Sequence, residues 1–397
     1  MHIRFLEIAH CAPSYQVKSR LTHRSSVDHT ICTVNVLIDV PQRRKYSIAL
    51  GILLMNKPTV HDIARVAGVS LATVDRVLNA RPGVRENTIL KVREAVSRLG
   101  YVRDTSAANL SRQRQYKFAF LLPDGSGQFA ATLKEAVRAA AKSQLADRVA
   151  IKVHGIPAND PHAIVRILRS LASRDVDGVA IMAQETPQVR DAIIRLKERG
   201  TAVVALVSDL PNAPRDNFVG IDNIAAGRTA GLLMGRFLSR RGKILVVTNS
   251  MQSRDSLERR LGFDSVLASE FPSLTALPSI ESFDDPDRVV RIVREAVQSR
   301  PGLAGVYSMG LGNGPLLTAL RETETLKELV VLAHELTPTT RQALIDNDIA
   351  AVIMQDVGHL VRSTIRILRA VRDQQPIFDA QERIRIEVIL RENLPEV

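Results

Sequence analysis

Residues Thr59 to Asn79, TVHDIARVAGVSLATVDRVLN, decide how this chain is read. Thr59 and Asp62 stand at the N-cap and N3 spacing of a helix start. Ile63, Ala64 and Ala67 give that helix an apolar face, and Gly68 can take the positive φ of a tight turn. Ser70 then caps a second helix. From it Val74, Val77 and Leu78 turn inward, leaving Leu71, Ala72, Thr73 and Arg76 on the outer face near its N-terminus. Two short helices joined this way predict a helix-turn-helix whose second helix reads DNA. An ordinary helical hairpin has the same apolar spacing, so the charge around it matters.

The chain has 397 residues, 45% of them hydrophobic, and a formal charge of +12, which allows two or three domains with real cores and excludes disorder of the whole. The charge is uneven. Residues 57–115 carry eleven Lys/Arg against five Asp/Glu, and residues 1–54 carry seven against three. A basic end on a near-neutral body points to a polyanion at that end, with a solubilising basic surface as the plainer reading. Both cysteines, Cys11 and Cys32, precede the first recognisable domain. A core disulfide is thereby excluded, no metal cluster is suggested, and a reducing cytosol fits.

No periodic fold is visible in residues 1–54. The run Arg43 to Met55, RRKYSIALGILLM, resembles a signal-peptide core but lies deep in the chain and is too short to span a bilayer. Met55 is therefore expected to be the natural start, and no membrane partner is expected. After the recognition helix, GVRENTILKVREAVSRLGY reads as a third helix, with Ile89, Val92, Val96 and Leu99 at helical spacing and Gly100 as its stop. Asp104 to Leu110, DTSAANL, is a short segment with little apolar surface, marginal as a helix alone. The polar run Ser111 to Gln115 follows as linker.

Beyond it, strands such as KFAFLLP, VAIKVHGI, GVAIMA and AVVALVS alternate with helices such as HAIVRILRSLASR. A second set runs from KILVVTNS (Lys243) through a helix Pro286 to Ser299, AGVYSM and VVLAHE. Such βα repetition predicts an α/β body of parallel sheets with helices on both faces.

DIARVAGVSLATVDRVLN, followed by GYV and AANL, resembles the headpiece of LacI/GalR-type bacterial transcription regulators, and the resemblance runs through almost all of residues 57–393. It implies a two-lobed, periplasmic-binding-protein-like body behind a small all-α helix-turn-helix headpiece. The expected division is an unassigned extension over 1–54, a headpiece over 55–103, a hinge helix and linker over 104–115, and an effector-binding and dimerisation body over 116–397. Within the body, 116–221 with 356–384 form one lobe and 222–355 with 385–397 the other.

By the same resemblance the DNA-binding residues are Ser70, Leu71, Ala72, Thr73, Arg76, Asn79, Asn109 and Leu110. Arg76 is the candidate for specificity, since a guanidinium can donate two bonds to guanine; a phosphate contact or a salt bridge with Asp75 is the alternative. Leu71 and Ala72 offer only apolar contact to thymine methyls. Ser70, Thr73 and Asn79 suit phosphates. Leu110 matches the family's hinge leucine, a paired minor-groove wedge, which implies a homodimer on a pseudo-palindromic operator. Arg85 replaces the usual Ser cap of the third helix, and Asp75 another usual Ser.

For a sugar-like or polyol effector the matching positions are Phe129, Asp209, Arg259, Asn313, Glu335 and Gln355. An aromatic face, carboxylates, an Arg and amides together suit vicinal hydroxyls. The commoner ligand arginine falls two residues before Arg259, at Leu257, so either Arg259 substitutes or the clamp is incomplete. Asp222 and Asn223 are expected to shape the lobe crossing and cap the next helix.

Catalysis is not expected. GLGNG (Gly310 to Gly314) has the wrong spacing for a dinucleotide loop, and H-E-x-x-H, G-x-S-x-G and P-loop patterns are absent. No cofactor and no metal are expected. The overall expectation is a cytoplasmic repressor of carbohydrate or polyol uptake and catabolism genes. A purine-type corepressor system, a sugar-binding module with a silent headpiece, and an exported transport receptor stand as alternatives.

Overall fold

The computed structural model describes the backbone of three strands before residue 53. From residue 58 to 396 it describes every residue except 79–81, 100–114, 126, 158–159, 173–175, 239, 300 and 311. Met55, Asn79, Asn109, Leu110 and all but residue 115 of the hinge helix and linker expected over 104–115 lie outside the described residues. The chain divides into two units, Met1–Ala107 and Ala108–Val397.

In the first unit, Val17–Ser26 (β1), His29–Ile38 (β2) and Ser47–Ile52 (β3) pair antiparallel in the order β1-β2-β3. Residues 1–54, in whose sequence no periodic fold is visible, thus include three strands. Thr30, Ile31, Thr33, Val34, Val36 and Ile38 make β2 rich in β-branched residues, a strand preference that carries no clean alternation. The signal-like run likewise contributes β3.

The same unit holds three helices, Val60–Ala67 (α1), Leu71–Leu78 (α2) and Glu86–Leu99 (α3). α1 starts on a reciprocal cap: the Thr59 amide donates to Asp62 Oδ2 at 2.9 Å and the Asp62 amide to Thr59 Oγ1 at 3.4 Å. It stops at Gly68, whose φ of 65° is left-handed, as the turn requires. Ile63, Val74, Val92 and Ala95 close a small core with Ala64, Ala67, Val77, Leu78, Val96 and Leu99 packed against it. Each fully buried aliphatic there contributes about 1.5–3 kcal/mol. α3 starts on the Arg85 carbonyl, which accepts from Thr88 and Ile89.

The second unit has two sheets. Tyr116–Asp124 (β4), Val149–Pro157 (β5), Gly178–Ile181 (β6), Ala202–Leu206 (β7) and Asn217–Val219 (β8) form a parallel sheet in the order β5-β4-β6-β7-β8. Side chains alternate across it: Phe118, Phe120 and Leu122 enter one core and Ala119 and Leu121 the other. Helices Gln128–Ser143 (α4), Pro161–Ala172 (α5) and Pro187–Glu198 (α6) return the chain between its strands.

Next come Asn223–Phe237 (α7), Gly242–Thr248 (β9), Arg254–Glu270 (α8), Leu274–Ala276 (β10), Ile280–Glu281 (β11) and Pro286–Ser299 (α9). Leu303–Ser308 (β12), Asn313–Glu322 (α10), Val330–His334 (β13), Pro338–Ile345 (α11) and Ala351–Met354 (β14) complete the alternation. Val357–Asp373 (α12) then packs on the first sheet, and Glu387–Ile389 (β15) returns to the second. The second sheet runs β10-β9-β12-β13-β14-β15, with β11 also on β9. Its last pairing, β14 with the three-residue edge strand β15, is antiparallel. The chain passes between the sheets after β8, after β14 and before β15, which makes two lobes of the body.

Candidate DNA-reading surface and ligand cleft

α2 is held from below by Val74, which is fully buried, and its outer row faces solvent. Leu71, Ala72, Asp75 and Arg76 are exposed and Thr73 is half-buried. Ser70 caps the helix through its Oγ, which accepts from the Thr73 amide at 3.2 Å and lies 2.9 Å from Thr73 Oγ1. Leu71 keeps 42% of its surface in water. It therefore lies outside the headpiece core.

In the body, the cleft lies where the strands of both sheets end. Residues after β4, β6 and β7 (Gly125, Met182, Gln184, Val207, Ser208) face residues after β9, β12 and β13 (Asn249, Met309, Gly310, Glu335). Parallel α/β sheets bind ligands at such carboxyl ends. The opening is divided into two adjoining hollows of about 90 and 180 Å³ that share Gly127, Phe129, Asp284, Gly310 and Glu335. The lobes touch across it. The Asp255 amide reaches Ser208 Oγ at 3.5 Å and the Thr339 amide reaches Gln128 Oε1 at 3.4 Å. A Cβ on Gly125 would overlap the Asp284 carboxylate. This is a closed cleft.

Arg259 is its centre. Gly227 on α7 and Gly262 on α8 let the two helices meet so closely that a Cβ on either would overlap the other's backbone carbonyl. That approach sets Asn223, at the first turn of α7, beside Arg259. The Arg259 Nε donates to Asn223 Oδ1 at 2.9 Å and Nη1 to the Met309 carbonyl at 2.6 Å. Nη2 stands 3.6 Å from Glu335 Oε1 and has no hydrogen-bond partner, although Arg259 is only 2% exposed. A buried guanidinium N–H left open in a cleft is a ready donor. Leu257, the position two residues before, is exposed and is not among the residues lining the cleft.

Glu335 follows β13 with a left-handed φ of 70° and accepts from Gln355 Nε2 at 2.8 Å. Burial raises its carboxyl to about 7; Arg259 and the Gln355 bond work in the opposite direction and nearby Asp255 adds to the rise. Beneath it, His334 Nε2 lies 2.8 Å from the Tyr307 hydroxyl, and Tyr307 stacks on Phe263 at 4.5 Å. Burial holds His334 well below the usual histidine range, with the Arg259 charge pushing the same way.

Of the expected effector residues, Phe129, Arg259, Asn313 and Glu335 line the cleft. The amide of Asn313 is spent on structure, accepting from Ser308 Oγ at 2.6 Å and donating to the His334 carbonyl at 3.1 Å. Two placements differ from expectation. The Asp209 carboxylate is taken by the Arg215 guanidinium and its own neighbour's amide, Leu210 N, and does not line the hollows. Gln355 is 1% exposed and stands behind Glu335, which it orients. Asp222 caps α7 by accepting from the Ala225 amide at 2.9 Å. The sequence reading missed Asp255, Ser256, Asn249, Asp284 and Ser208, all lining residues. Asp255 could have been found, lying one helical turn before Arg259 on α8; Asp284 could not, because its entry depends on positive φ at both Phe283 and Asp284. Among the described residues no group of His, Cys, Asp or Glu could hold a metal, and no helix is long and apolar enough to cross a membrane.

A capped helix-turn-helix and a two-lobed body with a closed ligand cleft define the class: a DNA-binding transcription regulator carrying a periplasmic-binding-protein body. The chain belongs to the lacI family of bacterial regulatory proteins, whose headpiece matches residues 59–104, with the periplasmic binding protein domain matching 118–376. It is 23% identical over 349 residues to the HTH-type transcriptional regulator pepR1 of Lactobacillus delbrueckii subsp. lactis, covering 85% of this chain and 99% of that one. With the regulator RegA of Clostridium saccharobutylicum it is 36% identical over 169 residues, 41% of this chain and 48% of RegA. Catabolite control protein A of Staphylococcus aureus is 26% identical over 203 residues, 50% and 58% of the two chains. Among solved structures, GanP, a glucose-galactose binding protein from Geobacillus stearothermophilus, superposes with a TM-score of 0.64 at 18% identity over 71% of this chain and all of GanP. A solute-binding protein from Burkholderia graminis in complex with D-arabinose gives 0.64 at 24% identity, over 70% and 96%. These two likenesses show the fold of the body.

Proposed function

We propose that the chain is a homodimeric repressor of carbohydrate or polyol uptake and catabolism genes, released from a pseudo-palindromic operator by a small sugar-like effector bound in the cleft. The observation that carries this reading is the open, buried Nη2 of Arg259 facing a cleft whose other wall holds Phe129. A donor for hydroxyls opposite an aromatic face for C–H groups is the chemistry of sugar recognition. The neighbours bound to D-arabinose or named for glucose and galactose support the ligand class.

In this reading Arg76 reads a base, Leu71 and Ala72 contact apolar base edges, and Ser70, Thr73 and Asn79 position the helix on phosphates. Asn109 and Leu110 supply the hinge contact. The effector stabilises the closed cleft, in which the Asp255–Ser208 and Thr339–Gln128 contacts form. Operator and effector are then linked through the equilibrium between open and closed bodies. The protein is cytoplasmic and has no catalytic role.

A second reading is favoured by the exposed, apolar Leu71 and Ala72: a sugar-binding body whose headpiece no longer selects a sequence. Selection of bound DNA from a random pool by the full-length chain, with and without sugars and polyols, separates the two. A palindromic enriched site released by one compound is the expected result. Enrichment that strengthens with ligand makes the effector a corepressor, and absence of enrichment in every condition leaves the silent-headpiece reading.

A further inference from the structure

The two hollows of the cleft are furnished differently. The smaller, about 90 Å³, is lined by Arg259, whose buried Nη2 has no partner, with Ser208, Asn249 and Asp255. The larger, about 180 Å³, is lined by Phe129 of α4, Pro286 and Val289 of α9 and Pro315 of α10. Among the described residues, no buried side-chain polar atom without a partner belongs to the larger hollow. Phe129, Gly310 and Glu335 belong to both, so the hollows adjoin and one ligand can occupy the two.

The polar side chains of the larger hollow are committed to the fold. Asp285 accepts from the Arg288 amide at 3.0 Å where α9 starts, and Thr337 Oγ1 from the Thr340 amide at 3.3 Å where α11 starts. Both ends of the Asn313 amide are used. Gln128 Oε1 accepts from the Thr339 amide at 3.4 Å, and Ser282 Oγ donates to Asn249 Oδ1 at 3.4 Å. The acids shared by both hollows lie toward the smaller: Glu335 stands beside Arg259, and the Asp284 carboxylate lies against Gly125, which lines the smaller hollow and not the larger. Helix starts ordinarily offer open N–H groups, but Pro286 is the first residue of α9 and Pro315 the third of α10, and neither carries one. Rings, an aliphatic side chain and glycine backbone dominate what remains. A hydroxyl buried there exchanges water for few partners, whereas an apolar group gains from burial.

We propose that the effector is a glycoside with an apolar aglycone: Arg259 and Glu335 read the sugar in the smaller hollow, and the aglycone packs among Phe129, Pro286, Val289 and Pro315 in the larger. The assignment rests on the reading of the cleft as a sugar-effector site. The larger hollow thereby selects, among glycosides of one sugar, by what the anomeric carbon carries.

The test is calorimetric titration of the full-length chain with three glycosides each of glucose, galactose and mannose, in both anomers: the methyl glycoside, the phenyl glycoside, and a disaccharide with glucose in place of the phenyl group. The proposal expects, for at least one sugar, a phenyl glycoside that binds at least about tenfold tighter than both its methyl and its disaccharide counterparts. Gly314 lines the larger hollow and not the smaller, and a Cβ there meets only Thr339 Cγ2, at 4.0 Å, so Gly314→Leu fills this space. With an unchanged circular dichroism spectrum, it brings the ratio of phenyl to methyl affinity toward one. A methyl glycoside or disaccharide within about tenfold of its phenyl counterpart in every series that binds overturns the aglycone assignment and leaves the sugar-effector reading standing. A ratio unmoved in folded Gly314→Leu overturns the placement in the larger hollow. Failure of every member of every series overturns this proposal and the sugar-effector reading together.

Discussion

The two walls of the cleft are built from different materials. Among the described lining residues, the lobe carrying β4 to β8 offers Pro123, Phe129, Ala130, Met182 and Val207, with Gln128, Gln184 and Ser208 as its polar groups and no charge. The lobe carrying β9 to β15 offers the charges of the described lining: Asp255, Arg259, Asp284, Asp285 and Glu335. One wall is a mostly apolar cover and the other the reader. The difference teaches where specificity lies, because apolar contact tolerates many ligands while buried charges reject those that leave them unpaired.

The most damaging way to break the contrast is to separate the helices that place the charges. Gly262→Leu puts a side chain where the Ile224 carbonyl lies, and Gly227→Leu one where the Arg259 carbonyl lies. Each is expected to destabilise the body by more than about 2 kcal/mol in denaturant unfolding. A loss below about 0.5 kcal/mol, the range of ordinary surface changes, contradicts the close packing described here.

Arg259→Met comes next. It removes the guanidinium and leaves Glu335 buried without its cation, so effector affinity should fall by about 2–5 kcal/mol in calorimetry. On the other wall, Phe129→Leu keeps an apolar side chain in the core and loses only the ring face. A loss of about 1 kcal/mol in effector affinity is expected. An equal loss from the two substitutions removes the distinction between reader and cover.

Glu335→Gln sharpens the comparison through pH. The Glu335 carboxyl is raised in the folded state from 4.5 to about 7, so between those values the folded protein holds the extra proton and this group adds stability as pH falls. His334, held neutral by burial, has a depressed value and contributes the opposite slope, losing stability as pH falls below its unfolded value of 6.5. With Glu335 replaced only the histidine slope remains, and the melting temperature should drop more steeply from pH 7 to pH 5 than in the wild type. A shallower drop contradicts the assignment. In the headpiece the effect is confined to one position: Arg76→Ala should cost about 1–3 kcal/mol at one base pair per half-site, with other positions unaffected. Uniform weakening across sequences makes Arg76 a phosphate contact.

Much of this was readable in the residues. α9 is announced by Pro286 at its first turn and by Val289, Val293 and Ala296 at helical spacing, and the reciprocal cap of α1 by Thr59 and Asp62. Arg259 and Glu335 were placed by resemblance, and the structure brings them together. What escaped depends on contacts without a local period. Asp209 turns to Arg215, six residues away in a loop, and Asp284 enters the cleft through two positive φ angles that no sequence pattern signals.

The central claim is that a ligand in the cleft sets affinity at the DNA. The direct measurement is titration of an enriched operator with full-length wild type and with Arg259→Met, each with and without the effector. The account predicts that effector weakens wild-type binding at least about tenfold, and that Arg259→Met binds the operator equally in both conditions. Operator affinity unmoved by an effector that calorimetry shows to be bound would contradict it.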